Sequence, residues 1–100
     1  METVIVRYRV KPSVVEENES LIAAVFEELR TLGLDGVKYA SFKQDDGCSF
    51  VHIASFASGE AKKAFGDSKA FQAFTRDIKS RCDVPPEATP LKPLQNFNLI

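Results

Sequence analysis

The chain of 100 residues carries a single histidine, His52. An imidazole titrates near neutrality, so His52 is the residue best suited to act as a general base. Arg7 could hold the anion left when such a base removes a proton, and Tyr39 could donate a hydrogen bond to the same oxygen. Each has a plainer alternative: a hydrogen-bonded core or interface imidazole for His52, a cross-strand ion pair for Arg7, a packing ring with a wet hydroxyl for Tyr39. Metal chemistry finds no ligand set, because Cys48 and Cys82 are neither a knuckle nor a C-x-x-C pair and no second histidine exists. Both cysteines stand among apolar residues and read as small buried side chains. Neither a glycine-rich phosphate loop nor a Gly-x-Ser-x-Gly elbow occurs, and no cofactor is expected.

These side chains need elements to hold them. Residues 3–10 are rich in β-branched types and predict a first strand, with Val4, Val6, Tyr8 and Val10 on one face and Ile5, Arg7 and Arg9 on the other. Lys11-Pro12 ends it, and Ser13-Val14-Val15-Glu16 predicts a capping box. The following helix repeats apolar residues at Val14, Leu21, Ile22, Val25, Phe26, Leu29 and Leu32, with Gly33 suited to its left-handed end. Strands are predicted over Val37–Lys43 and Cys48–Ala57, joined by a hairpin loop at Gln44-Asp45-Asp46-Gly47. Helical segments follow near 59–65 and 69–81, and Pro85-Pro86 forbids their continuation. Residues 86–93 read as extended, and Leu94–Leu99 as a short last strand. The order is β-α-β-β-α-β, a ferredoxin-like α+β sandwich: one domain over residues 1–100, a four-stranded antiparallel sheet with its helices on one face.

Composition narrows the function. Thirteen basic and fourteen acidic residues give a net charge of -1, so no cationic field advertises nucleic acid or anionic lipid. The longest apolar run, Leu21 to Phe26, cannot cross a membrane, and charges within Met1–Val10 leave no secretory apolar segment. A cytoplasmic chain with reduced thiols is expected. The first helical region is acidic and the last basic, which reads as solvated faces rather than a docking surface.

Two helices cover only one face of a four-stranded sheet, yet both faces of the strand at 48–57 are largely apolar. If Val51 and Ile53 turn to the helices, then Phe50, His52 and Phe56 face the other way, near Phe42 or Tyr39. Wet rings would form a large apolar patch, so a second copy is expected to cover them sheet to sheet. Phe50, Phe56 and Phe42 would then line a shared chamber for a small apolar or aromatic ligand.

The element order, the opening Val-Ile-Val-Arg-Tyr-Arg-Val-Lys-Pro, the acidic amphipathic helix and the Ser68-Lys69-Ala70-Phe71-Gln72-Ala73-Phe74 run resemble the dimeric α+β barrel superfamily. Within it the chain is most similar to antibiotic biosynthesis monooxygenases and stress-responsive relatives. The resemblance implies a homodimer with a swapped or clasped C-terminal strand, matched here by residues 94–100. It also implies oxygenation without a cofactor, the phenolic or quinol substrate itself supplying the electron. Several relatives carry a histidine where this chain has Phe65-Gly66, so that residue's role has no counterpart here. The same strand order also belongs to RNA-recognition motifs. The third strand keeps Gly47, Phe50 and Val51 of their pattern but has Asp46 for the cation and Cys48 for a stacking ring, so no nucleic-acid partner is expected.

The reading is thus a small-molecule-binding protein, with oxygenase chemistry implied by the resemblance and His52, Arg7 and Tyr39 as its base, anion holder and donor. The alternative is a non-catalytic, ligand-sequestering or interaction module whose barrel is filled by its own side chains. An open cavity touching His52 separates the first from the second.

Overall fold

The computed structural model describes residues 1–99. Its elements are β1 (Glu2–Val10), α1 (Val15–Leu32), β2 (Val37–Lys43), β3 (Ser49–Phe56), α2 (Gly59–Gly66), α3 (Lys69–Arg76), α4 (Ile78–Arg81) and β4 (Cys82–Leu91). One antiparallel sheet runs β2-β3-β1-β4, with β1 and β3 in the middle and the helices packed on one face.

Three local expectations are corrected. No capping box forms: Pro12–Val14 is a 3-10 turn in which Val14 N–H donates to the Lys11 carbonyl, and α1 starts at Val15, one residue later than the box implies, without a side-chain cap. The helix over 69–81 breaks at Asp77, leaving α3 and the short α4. The last strand is Cys82–Leu91 rather than Leu94–Leu99, and 92–99 carry no strand. Pro85, Pro86 and Pro90 are tolerated there because β4 lies at the edge of the sheet, where a missing donor can face outward. The ladder also slips between Arg7↔Glu87 and Arg9↔Val84, a bulge that takes up the proline pair. Of the segment matched to a clasped strand, Ile100 lies outside the described residues.

Other signals hold. Gly33 is left-handed at φ 58° and returns its N–H to the Leu29 carbonyl, closing α1. The Ser68 run is a helix start: Ser68 Oγ accepts from Phe71 N–H and donates to Glu28 of α1. The Glu28 carboxylate also accepts from Ala70 and Lys69 N–H, and these backbone donors, Ala70 foremost, hold it below the usual carboxylate range. Glu28 thereby ties α1 to the N-terminus of α3, where a negative charge is favoured.

Which face meets the helices follows from β1. Arg7 and Arg9 cannot lie under a helix layer without a partner, so β1 turns Val4, Val6, Tyr8 and Val10 inward. The register pairs Tyr8 with Phe50, Val6 with His52 and Val4 with Ala54, so these β3 residues follow. Tyr8, Val10, Phe50, Ala54 and Phe56 form the core with Val25 of α1, Phe65 of α2 and Phe74 of α3. The expectation that Val51 and Ile53 meet the helices is therefore reversed. The open face instead presents the rows Ala40–Ile53–Ile5–Thr89 and Phe42–Val51–Arg7–Glu87.

Candidate functional site

His52 lies at the centre of the helix-facing layer, 3 % exposed. Its Nε2 is hydrogen-bonded to the Tyr8 hydroxyl at 2.7 Å. Its Nδ1 lies 2.9 Å from Tyr39 Oη and 2.6 Å from Ser41 Oγ, both presented by β2. The chain continues behind Tyr8, whose oxygen accepts from Asn18 Nδ2 at 2.9 Å. Arg81 Nε donates to Asn18 Oδ1 at 3.3 Å, and its Nη2 donates to the Phe74 carbonyl at 2.7 Å. Aromatic planes hold the imidazole in place: Tyr8 stacks on it at 5.3 Å, Tyr39 at 5.7 Å, and Phe74 tilts against it at 5.5 Å.

Burial governs the electrostatics. Desolvation lowers the His52 pKa to about 4, so the ring is neutral at physiological pH. The same cause raises Tyr8, with the Asn18 hydrogen bond opposing, and pushes Tyr39 up to about 12. Both phenols are therefore neutral, and Arg81 is the fixed charge in the network. Its guanidinium also lies over the Phe74 ring, 5.3 Å from the centroid.

Beside this network, between sheet and helices, is a cavity of about 320 Å³. Val6, Ala54 and Phe56 form its sheet side, and Phe65, Phe71 and Phe74 its helix side. Tyr8, Tyr39 and His52 also border it, but their polar atoms are turned to one another and the wall is almost wholly apolar. The exposed Lys62 and Thr75 belong to its lining, so it reaches the surface there. A larger hollow of about 700 Å³ lies on the opposite face, between the sheet and residues 91–99, and of the imidazole network only Tyr39 borders it. It exists because the tail stands over an uncovered sheet: Leu94, Phe97 and Leu99 are all exposed. The smaller cavity has the apolar walls and the volume of a small-ligand site, and it borders the buried imidazole.

The structure therefore divides the residues singled out from sequence. His52, Tyr39 and Phe56 meet at the cavity. Phe50 packs behind it on Tyr8, with ring centroids 5.5 Å apart. Arg7 and Phe42 lie on the open face, Arg7 exposed opposite Glu87 and Phe42 51 % exposed, so neither reaches the imidazole. The space touching His52 is inside one chain, not between two sheets. Sequence reasoning missed the hydrogen-bonding roles of Tyr8, Ser41, Asn18 and Arg81. Asn18 carried a usable signal: it stands four residues after Val14 and four before Ile22, a polar residue on the apolar stripe of α1.

The fold is that of the ferredoxin-like domains found in antibiotic biosynthesis monooxygenases. Three solved structures illustrate the likeness. Rv0793 from Mycobacterium tuberculosis matches with a TM-score of 0.77 at 22 % identity, over 95 % of this chain and 96 % of its own. An antibiotic biosynthesis monooxygenase matches at 0.78 and 16 %, over 95 % of this chain and 100 % of that one. A variant of SnoaB, a cofactor-independent oxygenase from Streptomyces nogalater, matches at 0.72 and 17 %, over 97 % and 96 %. At these identities the likeness establishes a shared fold. No family model matches the sequence, and a search of curated proteins finds no relative.

Proposed function

We propose that the chain is a small-molecule-binding protein of the monooxygenase-like kind, whose ligand is an apolar aromatic of the phenol or quinol class held between sheet and helices. The observation that carries this reading is the apolar cavity of about 320 Å³ bordering the sole imidazole. Its Phe65, Phe71 and Phe74 rings offer faces and edges to a planar guest. The fold shared with a cofactor-independent oxygenase supports an extension to catalysis. A phenol or quinol that takes one oxygen atom of dioxygen into its ring is left as the quinone or hydroxyquinone, the second oxygen atom leaves as water, and the substrate supplies every electron, so no further reductant is needed. The chain's part is to exclude water, align the ring and receive a phenolic proton at His52.

The ligand-sequestering alternative has its own support. A base with a pKa of about 4 accepts a phenolic proton uphill, and the cavity wall exposes almost no polar atom to a developing anion. Oxygen uptake with a panel of quinols decides between them, comparing the wild type with His52→Ala. Catalysis predicts uptake that falls in the variant. Binding without uptake selects sequestration, and equal rates in both proteins remove His52 as the base.

The second part of the proposal is a homodimer through the open sheet face. Ile5, Val51, Ile53 and Phe42 lie together there, and the apolar side chains of 94–99 lie exposed beside them. Covering such a patch gains roughly 25 cal/mol per Å² of apolar surface. The shared interface would then be filled by side chains, while each copy keeps its own cavity.

A further inference from the structure

We infer that Asn18, oriented by Arg81, is a positioning residue that fixes which nitrogen of His52 carries the proton: Nδ1 is protonated, and Nε2 is the free base facing Tyr8. The argument is a count of donors and acceptors. A guanidinium only donates, so the Asn18 atom facing Arg81 Nε is its oxygen. The other end of the amide, which faces Tyr8, is therefore the nitrogen, and it donates to the Tyr8 oxygen. The buried Tyr8 hydroxyl then spends its own hydrogen on its remaining neighbour, His52 Nε2, at 2.7 Å. Nε2 must accept. A neutral imidazole has one hydrogen, which is left to Nδ1, facing the oxygens of Tyr39 and Ser41.

Direction thus runs one way from Arg81 through Asn18 and Tyr8 to His52, set at its far end by a buried cation with no choice of role. Arg81 is 4 % exposed and Asn18 fully buried, so water does not rescramble the chain. Within the proposed function, on which this last step rests, the proton-accepting atom is Nε2. It is reached through Tyr8, which borders the cavity, and Tyr39 keeps its hydrogen for donation.

The test needs no ligand. Because His52 is the only histidine, long-range proton–nitrogen correlation on the nitrogen-15-labelled full chain reports its tautomer without assignment ambiguity. The wild type should show Nδ1 with the shift of a protonated nitrogen and Nε2 with that of a bare one. In Asn18→Asp the carboxylate beside Arg81 accepts from the Tyr8 hydroxyl, so Nε2 must donate. The Nε2-protonated fraction should rise from under about one tenth to over about nine tenths, as expected when one buried hydrogen bond decides the equilibrium. In Asn18→Leu neither direction is imposed, and averaged shifts are expected; this variant serves if the charged one does not fold. A wild-type ring protonated on Nε2 overturns the inference, as does the wild-type pattern persisting in a folded Asn18 variant. Failure of the chain to bind an aromatic would instead leave these spectra as predicted and sink only the ligand reading.

Discussion

Acidification should weaken this fold through His52 alone, before most carboxylates titrate. The imidazole pKa falls from 6.5 to about 4 on burial, because the charged ring would leave water. The unfolded chain therefore takes a proton as pH drops below about 6.5, while the folded chain resists until about 4. Stability from this group is complete above the unfolded value and is lost as pH falls through the folded one. The shift of roughly 2.5 units corresponds to about 3 kcal/mol at 1.36 kcal/mol per unit. That is a large share of the ~5–15 kcal/mol typical of a small domain. Urea unfolding at a series of pH values measures it, with His52→Gln as the non-titrating reference. The wild-type advantage over the variant should shrink by about 3 kcal/mol between neutrality and pH ~4, with the wild type losing faster. A difference that stays flat would mean that the folded imidazole titrates normally. The ring would then be wet, and the buried network described above would be wrong.

Two further outcomes follow from the geometry. Ser68→Ala removes the α3 cap and a hydrogen bond to Glu28 from a residue that is 3 % exposed, and should lower unfolding free energy by about 1–2 kcal/mol in urea titration. Ile53→Asp places a charge at the middle of the open sheet face, opposite Ile5; light scattering should report twice the chain mass for the wild type and one chain mass for the variant, with the circular dichroism unchanged.

Much of this arrangement was legible in the chain. The valines and arginines of β1 alternate cleanly, so its two faces could be read from residues 3–10, and Gly33 marked the end of α1. β3 was ambiguous because both of its faces are apolar; only the register against β1, a long-range fact, assigns Phe50, His52 and Phe56 to the helices. The proline-rich segment was misjudged because Pro85 and Pro86 argue against a strand unless it lies at an edge with a bulge, and neither condition is written locally. The hydrogen-bond chain was hidden for the same reason. Asn18 and Arg81 are 63 residues apart, and only packing of α1 against the α3–α4 region brings them to Tyr8.

The central claim is that an aromatic guest enters the helix-side cavity. Chemical-shift mapping with 1,4-dihydroxynaphthalene under nitrogen, repeated with the corresponding quinone, tests it most directly. Shifts are expected at His52, Phe65, Phe71 and Phe74, and Val6→Phe, which fills the cavity from the sheet side, should abolish them. Shifts confined to Ile5, Phe42 and Ile53 on the open face, or none with either compound, would contradict it.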